Sequence, residues 1–293
     1  MAKPIIKWVG GKSQIIDEVL SEFPKEMNDY HEPFLGGGSV LLALLSRVKH
    51  GEIIVRGSIH ASDINEPLIY MYKNIQSNPD EVYAETIKLV EEFQSCENGE
   101  LNRNPSTLQE ALMNKENYYY WTRKQYNQLE DKTTIKCSAM FIFLNKTCFR
   151  GVYRVGPNGF NVPYGHYSKV EIIHETHLKE VSELIQGVQF TCGEYDLTKI
   201  QANDFAYLDP PYAPETATSF VRYTENGFNE HVDLFKKIDT MDGKVLMSNS
   251  NTSLVLSHFQ SEKYTIRTLV CRRAIHSKNP ATKTKEVLIK NYA

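Results

Sequence analysis

Short apolar runs, each strand-sized and closed by a turn, occur near both ends of this chain and are separated by a long segment of different texture. Near the start, Leu41-Leu42-Ala43-Leu44-Leu45 follows a triple glycine as a helix would, and Ile59-His60-Ala61-Ser62-Asp63 reads as a short strand ending in an acid. Past residue 188 the pattern resumes with Val188-Gln189-Phe190-Thr191, Phe205-Ala206-Tyr207-Leu208, Lys244-Val245-Leu246-Met247-Ser248 and Glu286-Val287-Leu288-Ile289. Such alternation is βαβ texture, so one sheet is expected to draw strands from both ends of the chain. Residues 66–187 are richer in Asn, Gln, Tyr and Lys, with helix-like stretches around 80–95 and 118–144 and then a Gly/Pro/Asn-rich loop. The expected organisation is a sheet domain made of 1–65 and 188–293, with 66–187 inserted as a helical unit.

Composition excludes several classes. With 41% hydrophobic and 24% charged residues the chain is ordinary for a globular protein, and no apolar run approaches the roughly 18 residues that span a bilayer. Met1-Ala2-Lys3-Pro4-Ile5-Ile6-Lys7-Trp8 lacks the apolar core of a secretory signal, so a cytoplasmic location is expected. The cysteines at 96, 137, 148, 192 and 271 are odd in number and show no C-x-x-C spacing, which argues against a disulfide framework and a zinc site; no metal is expected in the chemistry. A net charge of −3 means that any nucleic-acid contact must come from a local basic patch.

Three segments carry chemistry. Glu32-Pro33-Phe34-Leu35-Gly36-Gly37-Gly38-Ser39 leads from a strand into a helix, where glycines let a ligand approach the backbone and the helix start offers free N–H groups. A dinucleotide fingerprint would need glycine at position 41, which is Leu41, so a nicotinamide cofactor is disfavoured; a glycine-rich turn without a ligand is the alternative. Asp63, at the end of the next strand, stands where α/β nucleotide folds place the acid that holds ribose hydroxyls, although alone it reads equally as a turn or cap residue. Lys7-Trp8-Val9-Gly10-Gly11-Lys12-Ser13 ends like a P-loop but has Ile6 where the first glycine belongs, which disfavours a triphosphatase and leaves Gly10 and Gly11 as cofactor-lining candidates.

The most specific signal is Phe205-Ala206-Tyr207-Leu208-Asp209-Pro210-Pro211-Tyr212, a strand whose carboxyl end carries an acid, two prolines and an aromatic. That edge is where open α/β sheets bind ligands. The prolines lack N–H groups and fix φ, so the turn presents the Asp209 carboxylate and the Pro210 carbonyl as acceptors with no competing donors. Two acceptors suit an amino group. An adenine N6 amine is a poor nucleophile because its lone pair is delocalised into the ring; acceptors on its hydrogens favour the pyramidal form whose lone pair can attack a methyl group. Such a base must leave the duplex, and Tyr212 is placed to stack on it.

In these motifs and in their order the chain resembles the Dam-like DNA adenine-N6 methyltransferases, over nearly its whole length. Lys7-Trp8-Val9-Gly10-Gly11-Lys12 is similar to that family's N-terminal cofactor motif, Glu32 to Gly38 to its F-x-G-x-G loop, and Asp209-Pro210-Pro211-Tyr212 to its catalytic motif. The resemblance implies a Rossmann-like, mostly parallel seven-stranded α/β sheet with an inserted helical target-recognition domain. It implies S-adenosyl-L-methionine as cofactor, with S-adenosyl-L-homocysteine as product, held by Trp8, Gly10, Gly11, Lys12, Phe34, Gly36, Gly38, Asp63, Tyr195 and Asp209. Asp209, Pro210 and Tyr212 would be catalytic. Double-stranded DNA would be the partner, joined in restriction-modification systems by a cognate endonuclease acting on the same site.

The stretch from Leu144 through Arg150, Tyr153, Arg154, Pro157-Asn158-Gly159 and Asn161 to Pro163 and Gly165 looks like the family's DNA-reading hairpin, with Lys7, Arg150, Arg154, Asn161 and Pro163 as the implied contacts. Arginine can bond guanine bidentately there, although a solvated hairpin is the plain alternative. Thr147 and Cys148 depart from the best-known members, and the segment 96–118 has no counterpart, which leaves the recognition sequence open. A cytosine-N4 methyltransferase would carry Ser in place of Asp209, and a glutamine or small-molecule methyltransferase Asn. A DNA-binding protein without catalysis would have no use for an intact Asp-Pro-Pro-Tyr.

Overall fold

Phe205, Ala206, Tyr207 and Leu208 are all fully buried, which is what a four-residue apolar run becomes when both faces of a central parallel strand are covered. A computed structural model of the chain describes residues 2–214, 230–272 and 283–293. Its strands are β1 (Glu26–Met27), β2 (Tyr30–Glu32), β3 (Ile54–Val55), β4 (Ile59–Asp63), β5 (Val155–Gly156), β6 (Gly159–Phe160), β7 (Val188–Cys192), β8 (Phe205–Leu208), β9 (Lys244–Ser250), β10 (Thr265–Arg272) and β11 (Lys283–Lys290). Seven of these form one sheet in the order β10-β11-β9-β8-β2-β4-β7. Pairing is parallel from β9 through β7, while β11 runs antiparallel to both β9 and β10. The fold is thus α/β with a mostly parallel seven-stranded sheet.

Chain order along the sheet reverses at its middle. From β2 the chain proceeds outward to β4 and β7, then returns to β8 on the other side of β2 and continues to β9. The carboxyl ends of β2 and β8 therefore flank the switch point, where open sheets leave a crevice for ligands. β2 delivers the loop beginning at Pro33, and β8 delivers Asp209-Pro210-Pro211-Tyr212.

The chain divides into two compact units. The sheet unit comprises Lys12–Leu35, Ala43–Ile64 and Gly187–Ala293; the helical unit comprises Met1–Gly11, Gly36–Leu42 and Asn65–Gln186. In the sheet unit, Ala206 and Leu208 pack with Leu234, Phe235 and Ile238 of helix His231–Asp239 and with Val255 and Phe259. The alternate residue Phe205 meets Phe23 edge to face, with ring centroids 4.6 Å apart.

The helical unit is built around Ile135–Thr147, which buries every residue from Cys137 through Asn145. A helix apolar on all sides must be surrounded, and helices Glu66–Ser77, Pro79–Ser95 and Lys115–Gln128 surround it. The helix-like stretch 118–144 is in fact two helices. Asp131 Oδ1 accepts from the backbone N–H and hydroxyl of Thr133, and Thr134 caps the second helix by accepting from Cys137 N at 3.2 Å. This local turn outcompetes helix continuation. Among the described residues no helix is long and apolar enough to cross a membrane. Cys137 and Cys148 are buried and, like Cys96 and Cys192, unbridged; the side chain of Cys271 lies outside the described residues.

Candidate active site

The turn after β8 is fastened from the neighbouring strand. Asn249, fully buried near the end of β9, accepts the Ala213 N–H at 3.1 Å, and Ser250 donates its hydroxyl to the Ala213 carbonyl at 2.6 Å. These bonds hold the chain just past Tyr212, a stretch that two prolines have already stripped of backbone donors. Sequence reading had not singled out Asn249 or Ser250; their signal is only that polar residues end an otherwise buried strand.

Lys12 supplies the dominant charge. Its ammonium lies 2.5 Å from Asp209 Oδ2, and the two side chains are only 4% and 19% exposed. Asp209 Oδ1 is also buried, yet has no hydrogen-bond partner among the described residues. Burial pushes the Asp209 carboxyl above its ordinary value; Lys12 pulls it back, and the negative Glu286 adds to the rise. Tyr212 donates its hydroxyl to Glu286 Oε2 at 2.8 Å, and its ring centre lies 5.1 Å from the Lys12 ammonium. Burial beside two carboxylates holds the Tyr212 phenol protonated, well above its usual range. The turn thus offers one carboxylate oxygen neutralised by a cation and one left open.

The other cofactor candidates divide between the units. In the sheet unit, Phe34 and Tyr195 pack with ring centroids 5.1 Å apart and Lys237 sits over the Tyr195 ring; Asp63 ends β4, its carbonyl accepting Gly193 N–H at 3.1 Å. In the helical unit, Trp8 lies against the glycine loop. A Cβ on Gly37 would sit 2.7 Å from Trp8 Cβ, and one on Gly38, whose φ is +70°, would sit 2.5 Å from the Tyr72 hydroxyl. Tyr72 in turn donates to the Gly37 carbonyl at 2.7 Å. Gly37 and Gly38 thus make room for the protein's own Trp8 and Tyr72. Gly10 and Gly11 turn the chain just after Trp8, Gly11 donating to the Trp8 carbonyl at 3.2 Å.

All five DNA-contact candidates fall in the helical unit. The Pro157-Asn158 turn joins β5 and β6 into a short antiparallel hairpin. Across it Arg154 Nε donates to Asn161 Oδ1 at 2.6 Å. Phe149 N–H donates to the Pro163 carbonyl at 2.8 Å, and Arg150 follows in a left-handed conformation at φ 57° with its side chain over Phe149. Lys7 joins them through a residue that spacing could not reveal. Buried Asn145 accepts the Lys7 N–H at 2.8 Å and donates back to the carbonyls of Lys7 and Gly151 at 2.8 and 3.3 Å. One amide thereby ties the N-terminal segment to the loop that carries Arg150.

Comparison with known proteins agrees with this chemistry. The chain is 35% identical to the type II methyltransferase M.MjaIII of Methanocaldococcus jannaschii over 99% of each chain. It is 29% identical to the DNA adenine methylase of Haemophilus influenzae over 97% of this chain and 91% of that one, and 28% identical to the Escherichia coli K12 DNA adenine methylase over 99% and 95%. Residues 8–270 match the family described as D12 class N6 adenine-specific DNA methyltransferase, and the chain belongs to that family.

Proposed function

We propose that this D12-class enzyme methylates adenine N6 at a specific short site in double-stranded DNA through the Asp209 carboxylate; the observation that carries this assignment is the buried Asp209 Oδ1, which has no hydrogen-bond partner among the described residues. When bound, S-adenosylmethionine would supply a methyl group made electrophilic by its sulfonium, its methyl–sulfur bond breaking to leave S-adenosylhomocysteine while N6 gains the methyl and gives up one proton to solvent. On the protein side, Asp209 Oδ1 and the Pro210 carbonyl accept the two N6 hydrogens, drawing the nitrogen toward the tetrahedral geometry that frees its lone pair. Lys12 opposes the burial-driven rise in the Asp209 pKa, since a nearby ammonium favours the charged carboxylate. Tyr212, held by Glu286, stacks on the flipped base.

For the cofactor, the Phe34 and Tyr195 rings offer an aromatic surface for its adenine, and Asp63 stands at a strand end suited to ribose hydroxyls. The remaining candidates, Trp8, Gly10, Gly11, Lys12, Gly36 and Gly38, complete the proposed set, with Trp8 held by its packing against the glycine loop. Segment 66–187 is assigned to target recognition, with Lys7, Arg150, Arg154, Asn161 and Pro163 on DNA. Kinship to type II methyltransferases further suggests an endonuclease that cuts the same unmethylated site.

The test is to methylate a plasmid with the purified protein and map modified bases. N6-methyladenine in one short sequence context supports the reading; N4-methylcytosine, or adenine methylation without sequence context, would overturn it.

A further inference from the structure

Methyl transfer is assigned to the carboxyl edge of the sheet. On the opposite edge, where β2, β4 and β8 begin, a second set of side chains converges. His31 and His60 are cross-strand partners in the parallel register of β2 and β4, and their rings stack with centroids 4.8 Å apart and planes within 12°. His60 Nε2 lies 3.5 Å from Asp29 Oδ2, and His31 Nε2 lies 3.5 Å from Asp204 Oδ2. One ligand-capable atom from each of Asp29, His31 and His60 lies within 4.8 Å of the other two.

The 3.5 Å gap between His60 and Asp29 is longer than a good hydrogen bond. It is close to the roughly 3.3 Å between neighbouring ligand atoms around a tetrahedral ion with bonds of about 2.0–2.1 Å. His31 Nε2 is buried and has no hydrogen-bond partner among the described residues, a costly state for a ring nitrogen.

The carboxylates are anchored rather than wandering. Asp29 Oδ1 accepts Ser58 N–H at 2.9 Å, and the chain wraps it so closely that a Cβ on Gly57 would lie 1.8 Å from that oxygen. Asp204 accepts from the backbone of Asp29 at 3.1 Å and of Gln201 at 2.8 Å. Two fixed negative charges thus face His31 and His60 with no Lys or Arg paired to either carboxylate among the described residues.

We propose that Asp29, His31 and His60 form a divalent-metal site suited to Zn2+, with Asp204 supplying the second negative charge beside His31. Two imidazoles and a carboxylate are a borderline donor set that suits zinc and its neighbours over Mg2+ or Ca2+. The ion would tie together the starts of β2 and β4 at the N-terminal edge. Asp63 is three residues beyond His60, about 10 Å along an extended strand, so this metal has a structural role and does not enter methyl transfer.

The test uses the full-length, untagged protein dialysed against chelator and then titrated with Zn2+ or Co2+. The expected result is one equivalent of bound Zn2+, a raised melting temperature, and visible Co2+ bands of tetrahedral intensity. His60→Ala should weaken binding by about tenfold or more and abolish the melting shift while methyl transfer persists. His177→Ala, at a different histidine, should leave binding intact. Less than about a tenth of an equivalent bound, or equal affinity in wild type and His60→Ala, would overturn the site. His60 is partly exposed, so its variant is expected to fold.

Discussion

Lys12 and Asp209, 197 residues apart in sequence, form a buried ion pair at 2.5 Å that uses one carboxylate oxygen and leaves the other without a partner among the described residues. The pair bears on the protonation of the proposed catalytic carboxylate. Asp209 accepts both from Lys12 and from an incoming amine only when ionised, so activity falls as pH drops through its pKa. Burial raises that pKa, and Lys12 opposes the rise. Lys12→Met should therefore move the acid limb of the single-turnover rate to higher pH. An unmoved limb in that variant would assign it to another group.

Tyr212 can be separated into ring and hydroxyl. Tyr212→Phe keeps the stacking face and loses only the bond to Glu286, so its rate should fall less than about tenfold, the hydrogen bond being worth about 1 kcal/mol. Tyr212→Ala removes the face as well. With stacking worth about 1–3 kcal/mol, kcat/KM should drop by roughly 5- to 150-fold. Equal losses in both variants would place the function in the hydroxyl.

Gly38 and Gly51 have nearly the same φ, +70° and +72°, but different surroundings. Gly51→Ala meets open space and should cost only the left-handed backbone penalty, about 1–2 kcal/mol. Gly38→Ala must also displace the buried Tyr72 hydroxyl, and should lower the melting temperature further. Adding Tyr72→Phe to Gly38→Ala should recover part of that loss. Matching costs for the two single variants would show that Tyr72 yields freely.

Arg154 is expected to read a base. Arg154→Ala should relax specificity at one base pair, a guanidinium–guanine pair being worth about 1–3 kcal/mol of discrimination. Asn161→Ala should do so partly, because Asn161 Oδ1 holds Arg154 Nε at 2.6 Å. Methylation rates on substrates altered at each position of the site measure this. A uniform loss with a shallower salt dependence would assign Arg154 to the phosphate backbone instead.

What could be read from sequence followed from burial and local chemistry. β8 was legible because a strand covered on both faces is an unbroken apolar run, and the Asp-Pro-Pro-Tyr turn because prolines and an acid leave few local options. β2 was only implied: Tyr30-His31-Glu32 is too short to show a period, and its buried Glu32 is satisfied by the Tyr30 hydroxyl at 2.6 Å. β10 lies at the sheet edge, where Ile266, Leu269 and Val270 are mixed with residues such as Arg267, paired with Glu22, so it shows no clean alternation. Long-range pairings were beyond reach. Nothing local in Asn145 announces that it clamps Lys7, nor in Asp29, His31 and His60 that they converge, because strand register brings these residues together.

The most direct test is single-turnover methylation by Asp209→Ala at saturating S-adenosylmethionine, alongside a melting curve that verifies folding. With the acceptor for N6 removed, the rate should fall by about 10²-fold or more while cognate DNA is still bound. A folded Asp209→Ala enzyme that methylates adenine at the wild-type rate would contradict the account.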